Sequence, residues 1–399
     1  MLEPSTRSHS GKGHHRKTYH GAGLKAYLAL AVTALVLTAC SGTALSSNPS
    51  AAASASPSPT ARPADSKAAD LRTQLDLLLA EHAMVVGKQA VAASNHTDEY
   101  SGYLTLLASN ANALVDVMRS AFGDTAASQF SQAWAIQNGY LVDYTIGLVT
   151  HNASKSNGAM SGLVNGFTPQ FTQLISSLTQ LSVDSMTQLE TTQLTDTKTL
   201  IDDEIGQSYT KMYADLRLAY ASSSRIGDTL AIRMSQQFPD KFPGDPSISA
   251  VDARVSLDGL LQEDSYLTTM MSDAGIAGRA AEAGAALGAI AAVSSDLTPV
   301  MGFLLGPDAR NGFPGVWGIR DADLFAYANS SDPSASQKLT GSFVTQFSAL
   351  TNAPAAAVRD QVVATLKAMD DQRTKAYTSV AEDDRAAAAA MQTIADRIV

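Results

Sequence analysis

An all-α fold is predicted, built as two tandem, homologous, antiparallel helical bundles behind a disordered linker. Three observations carry this. From residue 67 onward apolar residues recur at spacings of three and four, the helical period, and strand-like alternation is missing. Helix-breaking Gly, Asn and Pro are sparse. They fall at Gly123-Asp124, Asn157-Gly158, 238–246, Gly306-Pro307, Asp332-Pro333 and 352–354, where helices should end. And the chain repeats itself.

The repeat is read residue by residue. Leu75-Asp76-Leu77-Leu78-Leu79-Ala80-Glu81-His82 returns 182 positions later as Leu257-Asp258-Gly259-Leu260-Leu261-Gln262-Glu263-Asp264. Phe122-Gly123, Phe130, Trp134 and Tyr144 return as Leu305-Gly306, Phe313, Trp317 and Tyr327 at an offset of 183. Phe167 and Phe171 return as Phe343 and Phe347 at 176, as a shorter turn in the second copy would give. The copies span 67–238 and 248–399, joined by the Pro-containing stretch 238–246, each expected to fold as a bundle of four to six helices.

Before the first copy lie two segments of different character. Residues 1–25 carry Arg7, Lys12, Arg16, Lys17 and Lys25 against Glu3, and Ala26 to Ala39 form an apolar run of 14 residues. A membrane span needs about 20; a basic start with a short apolar core is the pattern of a secretory signal. The run ends at Leu37-Thr38-Ala39-Cys40, with the chain's one cysteine. This resembles the lipobox of bacterial lipoproteins. The resemblance implies cleavage before Cys40, a diacylglyceryl group on its sulfur with frequent acylation of the new amino terminus, and residence on the outer side of the cell membrane. Residues 1–39 are thus read as signal peptide. Residues 40–66, dominated by Ser, Ala and Pro, are read as a tether that cannot bury enough surface to order itself.

Charge and composition exclude several classes. The chain has 28 Lys+Arg against 38 Asp+Glu, net −10, and removing the basic leader makes the remainder more acidic still. Nucleic acid is not an expected partner, because neutralising phosphates requires a basic face. A single cysteine excludes a disulfide framework and Cys-built metal sites. Beyond the leader the histidines are His82, His96 and His151, the latter two in expected turns. No zinc spacing, nucleophile elbow or phosphate loop occurs, so neither cofactor nor metal is expected. The acidic runs Asp202-Asp203-Glu204, Asp370-Asp371 and Glu382-Asp383-Asp384 read as solvated helix faces. The run Ala283 to Ala292, with Gly284 and Gly288, reads as a close helix contact.

Polar residues on the apolar stripes mark the candidate site. His82 and Gln137 occupy such positions in the first copy, and Asp264 and Arg320 stand at the equivalents in the second. Both members change together, so each pair is expected to touch across its bundle. One reading makes the pairs a structural polar layer that fixes register. The other makes His82, Gln137, Asn112 and Tyr140 a ligand or metal site. The leading functional expectation is a non-catalytic binding or scaffolding module of the cell envelope, held to the membrane by its lipid and meeting an envelope protein or small ligand. Small-ligand or metal binding through the polar layer is the alternative, and a hydrolase without a familiar motif is a second.

Overall fold

Ser66 opens the first helix: its Oγ accepts from the Ala69 amide at 3.2 Å, satisfying an amide that the helix itself leaves free. The computed structural model describes residues 64–398, and every regular element among them is helical, with no strand. The signal segment, Cys40 and the tether up to residue 63 lie outside the described residues.

The first half runs α1 (Lys67–Ser94), α2 (Glu99–Phe122), α3 (Asp124–Val149) and α4 (Ala153–Ser161), then a π-helical turn (Gly162–Phe167), α5 (Thr168–Thr179), α6 (Val183–Ile205) and α7 (Tyr209–Gln237). The second half runs in the same order: α8 (Ser249–Ile276), α9 (Ala280–Leu305), α10 (Pro307–Ser330), α11 (Pro333–Lys338), a π-helical turn (Leu339–Phe343), α12 (Val344–Thr351), α13 (Ala355–Thr374) and α14 (Tyr377–Ile398). Gly123 (φ +85°) and Gly306 (φ +94°) sit at equivalent corners, in a backbone region open mainly to glycine. Pro307 and Pro333 stand in the first turns of α10 and α11, where a missing amide costs nothing.

One expected break is displaced. Asn157-Gly158 lies inside α4, and the chain turns earlier at His151 (φ 53°), with the Asn152 side chain capping α4 through the Lys155 amide. His96 also turns with φ 53°.

The core is organised around α1 and α8. Both are buried on nearly every face, because α1 packs on α7, α2, α8 and α6 while α8 packs on α9, α14, α10, α13 and α1. The last helix of each half also reaches across: α7 packs on α9 and α14 on α2. The halves therefore share cores, and residues from both contribute to each hydrophobic cluster. The described residues form a single compact unit.

Each half keeps its own aromatic knot. Trp134 stacks on Phe130 (centroids 5.3 Å) and meets Phe171 (5.8 Å). Trp317 stacks on Phe313 (5.1 Å) and meets Phe347 (5.3 Å). The π-helical turns end at Phe167 and Phe343, which complete the knots against Phe171 and Phe347. The aromatic neighbours of the two tryptophans are thus matched.

The alanine-rich α9 is long and apolar enough to cross a membrane by length and composition. In this body its Ala283, Ala286, Ala289 and Ile290 are buried. Gly284 and Gly288 make no close helix contact, contrary to expectation: nothing lies within 4 Å of the Cβ either would carry, and both line an open groove beside α7.

Candidate functional site

The polar layer differs between halves in how its charge is balanced. In the second half Arg320 Nη1 lies 2.8 Å from Asp264 Oδ2 and 2.9 Å from Asp321 Oδ1, with both members of the Asp264–Arg320 pair essentially inaccessible. The guanidinium also sits over the Trp317 ring at 4.3 Å, and the indole N–H donates to Asp264 Oδ1 at 3.3 Å. The expected contact between Asp264 and Arg320 is present.

In the first half the equivalent residues find other partners. His82 Nε2 pairs with Asn138 Oδ1 at 2.8 Å, and its ring lies 5.0 Å from Trp134. Gln137 Nε2 donates to Glu190 Oε1 at 3.2 Å. Burial drives both ionisable members toward neutrality: the imidazole is held down at about 4 and the Glu190 carboxyl pushed up to about 8. Replacing Asp264 by His82 leaves the Trp134 N–H without an acceptor. His82 is enclosed and lines none of the grooves between α7 and α9, between α1 and α14, or between α2 and α3. No group of three or more His, Cys, Asp or Glu poised for a metal occurs among the described residues.

Asn112 and Tyr140 lie outside this layer. Asn112 is exposed on α2 and lines a shallow groove with Asn138. Half-buried Tyr140 covers Gly162 in the π-helical turn, where an added Cβ would stand 2.3 Å from its ring. The buried asparagine of α2 is Asn110, whose Nδ2 donates to Glu81 Oε2 and the Leu78 carbonyl, both at 2.8 Å. Helical phase separates the two: Asn110 faces α1, and a shift of two residues turns Asn112 outward.

A second constellation, unmarked in the sequence, lies where α1, α7, α8 and α14 meet. Arg72 on α1 reaches Asp252 on α8 (2.6 Å) and Asp228 on α7 (2.5 Å). Arg254 on α8 reaches Asp70 on α1 (2.8 Å) and Asp396 on α14 (3.3 Å). Every partner in one set is the repeat equivalent of a partner in the other. The same exchange recurs about two and a half to three turns along the helices: Glu81 binds Arg385 at 2.5 Å and Glu263 binds Arg217 at 2.8 Å.

Inside each set sits a deeply buried aspartate. Asp76 and Asp258 accept no hydrogen bond on either oxygen; Arg72 and Arg254 approach them only to 4.0 and 3.9 Å. Burial, then the Asp396 charge, pushes Asp258 up to about 8, and burial pushes Asp76 well above the carboxylate range. Their surroundings differ. Over Asp76, α7 passes so closely that a Cβ on Gly227 would stand 2.3 Å from its Oδ1. Beside it Tyr220 fills the α7–α8 seam, donating to the Gly259 carbonyl (2.8 Å) and to Gln262 Oε1 (2.9 Å). The last helices of the two halves correspond at an offset of 168, which pairs Arg217 with Arg385 and Asp228 with Asp396. At that offset Ala388 takes the place of Tyr220, and Leu77, the equivalent of Gly259, lines the same groove. An open groove of about 490 Å³ results, walled by α1 and α14 and lined by Asp258.

The acidic runs also depart from expectation. Glu204 and Asp384, the last residue of each triplet, are buried rather than solvated. Asp384 accepts from Lys88 Nζ (2.7 Å) and the Tyr103 hydroxyl (2.8 Å). Each triplet wraps a helix at about 100° per residue, so one of three neighbouring acids turns inward.

Comparison with protein-family models, with curated proteins and with solved structures finds no match for this chain.

Proposed function

We propose that this chain is a lipid-anchored protein of the cell envelope whose helical body binds a ligand without transforming it. The anchor half of the reading rests on the sequence, on Leu37-Thr38-Ala39-Cys40 closing a short apolar run. One observation supports the binding half: of two equivalent seams, one is plugged by Tyr220, and the other is open above a carboxyl that lacks a hydrogen-bond partner. A groove with few polar groups in an apolar setting is the form of a small-molecule site. Of the acidic groups near the seam, Asp70, Asp396 and Glu81 are engaged by arginines and hold structure, which leaves Asp258 as the one carboxyl of the groove with no hydrogen-bond donor of its own.

The test has two arms, both on the full chain. Fractionation is expected to find the wild type with membranes and a Cys40→Ala chain freed of its leader in the soluble envelope fraction; a Cys40→Ala chain that stays with membranes after the leader has been removed overturns the anchor. In the second arm, any envelope small molecule that raises the melting midpoint by mass action should be recovered chemically unchanged after prolonged incubation. Recovery of a product overturns the non-catalytic reading.

A further inference from the structure

We propose that the open seam between α1 and α14 is a site for a linear alkylammonium group, with the Asp258 carboxylate as its counter-ion. The inference rests on the binding reading above and adds the ligand's chemistry.

Three features of the seam select this class. Asp258 is 1% exposed and lines the groove, and neither of its oxygens accepts a hydrogen bond. A buried carboxylate in that condition is costly unless a donor meets it. Thr73 Oγ1, also buried and unpartnered, lines the same groove and supplies an acceptor for a second ammonium hydrogen. The walls are Leu77, Leu78, Ala388 and Ala389, hydrocarbon that suits a methylene chain. The cations present hydrogen-bond elsewhere: Arg385 to Glu81, and Arg254 to Asp70 and Asp396, its Nε staying 3.9 Å from Asp258 Oδ2, beyond hydrogen-bond reach. Asp258 is therefore the group left to recognise a positive ligand. A divalent metal fits poorly, since one carboxylate and one hydroxyl supply too few hard ligands.

The closed seam serves as an internal control. Asp76 has the same burial and the same lack of hydrogen bonds, but Gly227 and Tyr220 leave no room above it. A buried carboxyl without a hydrogen bond in each seam follows from the shared architecture, and access in only one follows from the Tyr220 and Ala388 difference.

Charge bookkeeping predicts a pH dependence. Asp258 faces Arg254 on its own helix, Asp396 and Arg385 on α14, Asp70 and Glu81 on α1, and Tyr220 from α7. With its carboxyl at about 8, the ammonium enters as the Asp258 proton leaves to solvent, so affinity rises between pH 7 and 9.

The shared chemistry has two sources: a free linear amine, or the side-chain amine of a lysine-type residue in a peptide. Isothermal titration of the full chain in detergent, at pH 8.5, uses 1,4-diaminobutane, n-butylamine, Nα-acetyl-lysine amide and, as the neutral isostere, butan-1-ol. Binding of the amines and not the alcohol is expected, and the relative strength of the free amines and the lysine amide identifies the source. Asp258→Asn should weaken amine binding about tenfold or more, and Asp76→Asn should leave it unchanged. Ala388→Tyr, which copies the plug, gives the same loss without touching the carboxyl and carries the test if Asp258→Asn fails to fold. Butan-1-ol binding as well as butylamine, undiminished binding by a folded Asp258→Asn or Ala388→Tyr, or no amine binding at all overturns the proposal. The last result would leave the anchor and the non-catalytic reading standing, since those are read by fractionation and product recovery.

Discussion

At the residue scale, the two halves fill one layer with different chemistry. Arg320 brings a permanent charge and needs Asp264 and Asp321 beside it; Gln137 brings none and is met by a carboxyl that stays protonated. Removing one partner of a buried ion pair strands the other. Asp264→Ala is therefore expected to cost about 3–5 kcal/mol, and the double variant Asp264→Leu with Arg320→Met far less than two such losses. Urea unfolding of the four corners of that cycle measures it; additive, near-zero effects would contradict the buried pair.

Acidity acts on the same layer with opposite signs. Glu190 binds its proton up to about 8 in the folded chain and only to about 4.5 when unfolded. Its stabilising contribution is complete below 4.5 and is lost as the pH rises through 8. Glu190→Gln should thus be neutral near pH 4 and stabilising near pH 9, on the order of 4 kcal/mol at the upper limit. His82 runs the other way. Its imidazole is held at about 4 when folded and near 6.5 when unfolded, so stability present above 6.5 is lost as the pH falls toward 4. His82→Gln, which can still donate to Asn138, should flatten that acid limb by about 3 kcal/mol. Melting midpoints of wild type and variant across the pH range check both.

This layer was partly legible. Comparison of the copies found the Asp264 and Arg320 contact because both positions lie on clear stripes, but it did not find the hydrogen-bond partners of His82 and Gln137, which are Asn138 and Glu190 rather than each other. It misplaced Asn112, since neighbouring asparagines two residues apart differ only in helical phase, and it could not see Glu190, which comes from a distant helix with no periodic mark. The Asp258 environment carried no signal at all: its isolation depends on which helices pass over it.

At the element scale, helix ends were the most readable feature, because Gly123, Gly306, Pro307 and Pro333 act through local backbone geometry alone. Asn157-Gly158 misled for the converse reason: nothing lies near the Cβ that Gly158 would carry, and a helix tolerates such a glycine at modest cost. Gly227 is different. Its missing side chain lets α7 settle onto α1, where a Cβ would stand 2.7 Å from the Asp76 amide nitrogen. Gly227→Ala should push the helices apart and destabilise by about 1–3 kcal/mol or more, whereas Gly158→Ala should be neutral or slightly stabilising. Thermal unfolding of the two variants makes the comparison.

At the scale of the whole molecule, the helix order of 67–238 is compatible with a repeat in 249–398, but the sequence period carried no sign that the two halves share cores. Stripes identify a buried face without saying which helix covers it, and α1 and α8 are covered on nearly all sides by helices from both halves. One cooperative unfolding transition is expected, with circular dichroism and tryptophan fluorescence coinciding. Residues 64–238 expressed alone should remain poorly folded, because they would bare the faces that α8 and α14 cover. Two separated transitions would contradict this.

The reciprocal pairing of Arg72 with Asp252 and of Arg254 with Asp70 has a wider consequence. A contact in which each side offers the other the same donor and acceptor is the hallmark of an isologous dimer around a two-fold axis. The stretch 238–248 then acts as a covalent clip on an association that two separate polypeptides could make. Within one chain the two seams need not be identical, and here one is stoppered by Tyr220 while its twin is hollow.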